Sequence, residues 1–130
     1  MIDRIEVGLD LVEIDRIAKI LERHGARFLG RVFTQREIQD SQGRAESLAA
    51  RFAAKEAVMK ALGTGAMDFR EIEVDRDPGE RPQVRLQGRA LARAQRMGVT
   101  GIALSLTHSR STAAASVTLW CASKHSLDAE

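Results

Sequence analysis

Two carboxylates stand at positions where a buried apolar side chain would be the ordinary choice. Asp10 interrupts an alternating apolar segment, and Glu56 borders the apolar stripe of a predicted helix. Carboxylate oxygens are ligands that Mg²⁺ prefers, commonly together with the phosphate oxygens of a substrate. The pair therefore predicts a site that holds Mg²⁺ against a phosphate, and we interpret the chain as an enzyme that handles a phosphoryl group.

A cation and a glycine-rich turn follow Glu56 in the sequence. Lys60 comes one helical turn later, and Gly63, Thr64 and Gly65 follow the predicted helix directly. Glycines let backbone N–H groups approach an anion closely, and the threonine hydroxyl adds a donor. The residues alone leave an alternative open, because Glu56 and Lys60 could form an ordinary surface ion pair and the turn could be a simple helix C-cap.

His108 is a further candidate, near the end of a late predicted strand. It could donate to a phosphate or exchange a proton, which are common roles of histidine side chains. An isolated histidine is more commonly a satisfied residue at a strand edge. In the same way, Asp10 could simply bond the amides of a turn.

The first predicted helix carries a basic row opposite its apolar face. Arg16, Lys19, Arg23 and, if the helix persists, Arg27 fall within roughly 80° of arc at 100° per residue. Such a row is usually solvated surface. It could also receive an acidic helix of a partner protein.

The periodicity of the apolar residues and the positions of cap and turn residues predict the helices and strands that must position these side chains. A strand through Ile5, Val7 and Leu9 runs into its end near Asp10, and a helix from residue 15 to about 24 follows. The remaining elements are a capping box at Thr34 and Glu37, a long helix 45–62 closed by Gly63, a hairpin with strands at 72–74 and 84–86, a helix 89–97 ended by Gly98, and strands 102–108 and 113–119. This mixed order favours an α+β fold.

Two apolar helix faces are predicted to be core. In the first helix the face consists of Ile14, Ile17, Leu21 and, past Gly25, Phe28. In the long helix the centre of the stripe consists of Leu48, Phe52 and Met59, with Leu62 at one margin.

Composition narrows the class of protein. The 130 residues predict one domain over 1–130, with a frayed tail at 121–130, and a domain this small often completes its pocket with a second subunit. A net charge of +2 and the absence of tyrosine argue against a nucleic-acid partner. The lone Cys121 fits a reducing compartment, and no apolar run is long enough for a membrane span. We expect a cytoplasmic protein that binds neither nucleic acid nor membrane.

Three blocks together resemble a known family. They are segment 8–17 (GLDLVEIDRI), segment 51–65 (RFAAKEAVMKALGTG) and segment 105–109 (SLTHS). In this order they resemble holo-acyl-carrier-protein synthase, the short single-domain class of 4′-phosphopantetheinyl transferases, over nearly the whole chain up to about Trp120. The resemblance implies an α+β domain with a long central helix packed on an antiparallel sheet, and a homotrimer with active sites between subunits.

The same resemblance implies a reaction and its residues. The enzyme would transfer 4′-phosphopantetheine from coenzyme A to a serine of apo-acyl carrier protein, a step of fatty acid biosynthesis, and release adenosine 3′,5′-bisphosphate. Asp10 and Glu56 would bind Mg²⁺, and Lys60 would contact the phosphates as a third catalytic residue. The coenzyme pocket would include Arg51, Lys60, Gly63, Thr64, Gly65 and His108. From the charge of the basic row, we expect an acidic helix of the carrier to dock on Arg16, Arg23 and Arg27.

Three points stay open at this stage. The base that takes the serine proton could be Glu56, a metal-bound water or a nearby residue. The carrier could be a specialised one of polyketide or peptide assembly. The chain could also be a non-catalytic binding module of the same fold that docks acidic carrier proteins, although retention of Asp10, Glu56 and Lys60 together favours the enzyme.

Overall fold

The computed structural model describes residues 1–65 and 67–122. In chain order its elements are β1 (Arg4–Glu13), α1 (Ile14–Val32), α2 (Gln35–Ser41), α3 (Ala45–Leu62), a 3₁₀ turn (Phe69–Glu71), β2 (Ile72–Asp75), β3 (Gln83–Leu86), α4 (Gly88–Met97), β4 (Val99–His108) and β5 (Thr112–Cys121). This confirms the predicted α+β fold. The tail was predicted to fray from residue 121, which was wrong for its first two residues: Cys121 is the last residue of β5, Ala122 donates a backbone hydrogen bond to Gly98, and both are buried. From residue 123 on, the predicted frayed tail lies outside the described residues.

The strands form an antiparallel sheet and a separate hairpin. The sheet has the order β1-β5-β4, and the hairpin pairs β2 with β3 through Ile72 opposite Leu86. Asp10 pairs with Ala115, and β1 continues three residues further to Glu13. The prediction that Asp10 lies near the end of its strand was therefore wrong, because the ladder with β5 continues to the pair of Glu13 with Thr112.

Helix α3 lies across this sheet and is buried around most of its circumference. The prediction of a single apolar stripe was too narrow: Ala49, Ala53, Arg51 and Lys55 are all buried, whereas Phe52 is only half-buried. The reason is that α3 packs against β1 and β5 on one side and against α1, α2 and β2 on others. Its alanines allow these neighbours to approach closely.

The contact between α3 and β1 is a backbone contact. A Cβ atom at Gly8 would lie 1.8 Å from the carbonyl oxygen of Ala57, a distance that no real side chain shows. Gly8 and Asp10 alternate with exposed residues and face α3. The missing side chain at Gly8 therefore lets the strand bring Asp10 against the helix.

Helix α1 is longer than predicted and is broken once. It continues past Gly25 to Val32, but His24 has non-helical dihedrals (φ −138°, ψ 33°). Ile17 is buried and Phe28 is half-buried against the core, as predicted. Phe28 also packs edge-on against Phe33, with ring centroids 5.7 Å apart, so the second half of α1 is anchored by aromatic packing.

Local signals set the helix ends. Thr34 and Glu37 form both hydrogen bonds of the predicted capping box at α2. Gly63 and Gly98 end α3 and α4 with φ of 74° and 77°, in the left-handed region that glycine tolerates best. None of the helices in the described part of the chain has the length and hydropathy of a membrane span.

Candidate active site

Strand β1 and the last turns of α3 bring together a carboxylate and a lysine. Lys60 Nζ lies 2.9 Å from Asp10 Oδ1 and donates a second hydrogen bond, at 3.0 Å, to the carbonyl oxygen of Leu9. The Asp10 side chain is 15% exposed and that of Lys60 is 55% exposed. The pair lies at the surface, within reach of a ligand.

Glu56 lies beside this pair on the same helix. It is half-buried, one turn before Lys60, which places it about 6 Å away along the helix axis. Within the described residues Glu56 has no ion-pair partner. The structure therefore assembles the three residues that the sequence predicts as the catalytic group, with the Asp10 charge already balanced by Lys60.

The donor set fits a magnesium ion that shares its ligands with a substrate. Among the described residues there is no cluster of three or more His, Cys, Asp or Glu side chains suited to a metal. Asp10 and Glu56 offer carboxylate oxygens, and Mg²⁺ commonly uses one or two carboxylates and fills its remaining positions with water and phosphate oxygens. The two residues could hold such an ion only in company with other oxygen ligands.

Arg51 and His108 lie together in a different place. They line an open groove of about 620 Å³ between the start of α3, the loop after β2 and the end of β4. Arg51 is mostly buried, its Nε has no hydrogen-bond partner in the described residues, and its Nη1 donates to the hydroxyl of Ser47. Burial lowers the pKa of Arg51, and the nearby charge of Glu37 opposes that shift.

Two arginines of this groove were not predicted. Arg44 immediately precedes α3, and Arg76 follows β2, so both lie on loops. With Arg51 they give the groove three guanidinium groups beside the exposed imidazole of His108, whose Nδ1 lies 3.3 Å from the Ser109 carbonyl oxygen. The sequence offers no spacing that links these residues, because the fold brings together four separate segments.

The glycine-rich turn places a third group of predicted coenzyme-binding residues away from the first two. Gly63 caps α3, and the carbonyl oxygen of Leu62 accepts a hydrogen bond of 2.9 Å from Arg93 Nε. Gly63, Thr64 and Gly65 do not line the groove of Arg51 and His108. The predicted coenzyme residues thus fall into separate groups within one chain.

The predicted docking residues are exposed. Arg16, Arg23 and Arg27 all lie on α1 with their side chains in solvent, and Lys19 pairs with Asp15 at 3.0 Å. The break at His24 separates Arg27 from the regular helix that carries Arg16 and Arg23. The basic row is therefore not the straight strip that the sequence predicts.

Comparison with known proteins shows the family. The sequence model of the 4′-phosphopantetheinyl transferase superfamily matches residues 6–122. The chain is 45% identical over 120 residues to a holo-acyl-carrier-protein synthase of Maridesulfovibrio salexigens, covering 88% of this chain and 97% of that protein, and 47% identical over 118 residues to one of Koribacter versatilis, covering 86% and 94%. The chain belongs to the 4′-phosphopantetheinyl transferase superfamily.

Solved structures agree with this assignment. The ACPS–CoA complex of Chronobacterium ammoniagenes superposes with a TM-score of 0.83 at 34% identity, covering 93% of this chain and all of that one. The Helicobacter pylori holo-acyl-carrier-protein synthase in complex with coenzyme A gives a TM-score of 0.79 at 29% identity, covering 87% and 98%. The chain is thus a transferase whose relatives include the short synthases that the three sequence blocks resemble.

Proposed function

We propose that this chain transfers the 4′-phosphopantetheine group of coenzyme A to a serine of apo-acyl carrier protein and releases adenosine 3′,5′-bisphosphate. The observation that carries the proposal is the group of Asp10, Glu56 and Lys60 at the contact of β1 with α3, in a chain that belongs to this superfamily. A non-catalytic module that only docks carriers would not need this group, so the enzyme is the better proposal.

The reaction joins the serine oxygen to the phosphorus next to pantetheine and breaks the pyrophosphate linkage, so that adenosine 3′,5′-bisphosphate leaves the phosphorus and the serine proton passes to a base. Asp10 and Glu56 would hold Mg²⁺, which when bound would neutralise charge on the phosphate oxygens. Lys60 supplies a mobile cation beside the same oxygens, since its contacts at Asp10 and Leu9 are exposed. In the free protein Lys60 balances Asp10, and in the complex it would turn to the phosphate.

The groove is the proposed site for the nucleotide end of coenzyme A. Arg44, Arg51 and Arg76 offer guanidinium groups that match phosphate geometry, and His108 adds an exposed ring. The unpartnered Nε of Arg51 supports an anionic ligand there, because a buried donor without a partner is costly until something accepts from it. We also propose that the turn of Gly63, Thr64 and Gly65 helps to form the coenzyme pocket.

A homotrimer with sites between subunits is part of the proposal. The outer face of β1 exposes Ile5, Val7, Leu9 and Leu11, each 57% to 67% accessible, in one continuous apolar row. Such a row marks an interaction surface. Light scattering should give three times the chain mass, and Leu9→Lys should lower it. A monomeric parent protein would contradict the trimer.

We propose that Arg16, Arg23 and Arg27 bind the acidic carrier. Charge complementarity mainly accelerates association, so Arg16→Glu or Arg23→Glu should raise the KM for the carrier and leave the KM for coenzyme A unchanged. The break at His24 makes Arg27→Glu the informative third variant, with a smaller expected effect. Unchanged carrier constants in all three would refute this surface.

One experiment tests the transferase itself. The chain is incubated with apo-acyl carrier protein, coenzyme A and Mg²⁺, and the carrier is weighed by mass spectrometry. The carrier should gain one phosphopantetheine group, and EDTA should abolish the gain. An unchanged mass would favour the binding module.

The proposal also includes a single domain, a cytoplasmic location and a place in fatty acid biosynthesis. The lone Cys121 supports the cytoplasmic location, because the cytoplasm is a reducing compartment in which disulfides are rare.

A further inference from the structure

Lys55 is the one charged residue of segment 55–60 to which the proposed reaction gives no role. It directly precedes Glu56 in the sequence. The structure puts it elsewhere. The Lys55 side chain is fully buried and its Nζ lies 2.7 Å from Glu37 Oε1, which is also fully buried. No ligand reaches either group without opening the core.

The surroundings of the pair complete its hydrogen bonds. Lys55 Nζ also donates to the carbonyl oxygens of Phe69, at 3.0 Å, and Ile72. Glu37 Oε2 accepts from the backbone N–H of Val74 at 2.8 Å, and Oε1 accepts from that of Thr34 at 3.0 Å. The pair thus ties α3 to α2, β2 and the 3₁₀ turn through directional bonds.

This tie lies nearly opposite the contact of α3 with β1. At about 100° per residue, Ala57 faces roughly 160° away from Lys55, and it is Ala57 whose carbonyl oxygen meets Gly8. Glu56 and Lys60 lie between the two directions, at roughly 100° and 140° from Lys55. The two contacts therefore determine which side of α3 faces Asp10.

We propose that Lys55 and Glu37 are positioning residues for the metal site: their buried pair fixes the rotation of α3 about its axis and so holds Glu56 in reach of Asp10. The proposal rests on the proposed function for the role of Glu56. A hydrophobic pair of similar volume could stabilise the fold as well as a buried ion pair does, so directional bonding is what the ion pair adds.

The test separates positioning from stability. Glu37→Gln, Lys55→Met and the double variant are compared with a matched control, Asp15→Asn/Lys19→Met, which removes an exposed ion pair of 3.0 Å within α1. Thermal unfolding reports the fold. Mn²⁺ binding to the free protein, measured by the electron paramagnetic resonance signal of unbound Mn²⁺, reports the metal site without any turnover.

We expect the single variants to unfold at lower temperature and the double variant to recover part of that loss, because no unpaired charge remains. Mn²⁺ affinity should fall about tenfold or more in all three variants, as it does when groups that orient metal ligands are removed. The control should bind Mn²⁺ like the parent. A folded double variant with the Mn²⁺ affinity of the parent would overturn the proposal.

Two further outcomes are decisive. If Lys55→Met raises the KM for coenzyme A while Glu37→Gln changes neither this KM nor Mn²⁺ affinity, Lys55 is a phosphate ligand and the proposal fails. If the double variant does not fold, the near-isosteric Glu37→Gln decides by its Mn²⁺ affinity. Failure of the parent protein to modify a carrier would refute the proposed function, whereas the Mn²⁺ comparison would still test the positioning role.

Discussion

Helix α3 carries two lysines that pair with carboxylates of other elements, and the pairs differ only in their surroundings. Lys55 lies 2.7 Å from Glu37 and Lys60 lies 2.9 Å from Asp10. Both side chains of the first pair are completely buried, whereas those of the second are 55% and 15% exposed. Separation does not distinguish the pairs, but access to water does.

Access to water determines what each pair can do. Around Glu37 and Lys55 every exchange of partner would leave a desolvated charge, so the contact is fixed. Around Asp10 and Lys60 water reaches the lysine, which is 55% exposed, so a phosphate can draw the lysine away and a metal can take its place beside Asp10. One pair is suited to hold the helix, and the other is suited to take part in binding.

The largest test of this difference is to remove each lysine in turn. Lys55→Met should lower the free energy of unfolding by about 3–5 kcal/mol, because it leaves the Glu37 charge buried without its cation. Lys60→Met should change it by about 0–1 kcal/mol, since Asp10 can be solvated. Urea unfolding of both variants measures the two values under one condition. Equal losses would show that burial does not separate the pairs.

A smaller loss of stability is expected from a substitution at Gly8, which contacts the opposite side of α3. Gly8→Ala places a methyl group where the Ala57 carbonyl oxygen lies, so β1 must move away from the helix, at a cost of about 1–3 kcal/mol. Because Asp10 is on the same strand face, Mn²⁺ binding should weaken as well. Urea unfolding and Mn²⁺ titration measure the two effects.

Gly30→Ala is the matched control for this change. Gly30 is in α1, and a Cβ atom there would meet nothing within 4 Å. The variant should be as stable as the parent or slightly more so, because alanine favours the helix. A stable Gly8→Ala protein with normal Mn²⁺ affinity would show that the close approach of β1 does not position Asp10.

Most elements could be predicted because their signals are local. The ends of α3 follow from a run of strong helix formers closed by Gly63, and the capping box of α2 requires only Thr34 and Glu37. The three catalytic candidates could be predicted because residue type and family blocks agreed. Their assembly needs only one long-range contact, that of β1 with α3.

The remaining features depend on contacts between distant segments. Lys55 and Lys60 flank Glu56 in one short segment of α3. Only packing against α2 and β2 buries Lys55, and the sequence of that segment does not show it. The groove joins Arg44, Arg76 and His108, which no periodicity connects. Such features follow from tertiary packing, which a pattern within one segment does not contain.

For the pair of Asp10 and Lys60 we expect the loss of the lysine to strengthen Mn²⁺ binding, whereas Gly8→Ala should weaken it. If Lys60 balances Asp10 in the free protein, Lys60→Met should bind Mn²⁺ more tightly than the parent, by up to about fivefold for a contact worth at most about 1 kcal/mol. Transfer to the carrier should fall at the same time, because the phosphate loses a cation. Weaker Mn²⁺ binding in this variant would show that Lys60 supports the metal site instead of competing for it.

The smallest effect is the salt dependence of these differences. The Debye length falls from about 30 Å at 0.01 M to about 3 Å at 1 M, and exposed charges are screened while buried ones are screened much less. The difference in Mn²⁺ affinity between the parent and Lys60→Met should therefore narrow as potassium chloride rises over this range. The difference in unfolding free energy between the parent and Lys55→Met should persist, because no ion enters the space between Lys55 and Glu37. Measuring both differences in the same salt series cancels the general effect of salt on Mn²⁺ binding and on stability. If both narrow equally, water and ions reach the two pairs alike, and the assignment of one to the fold and the other to binding fails.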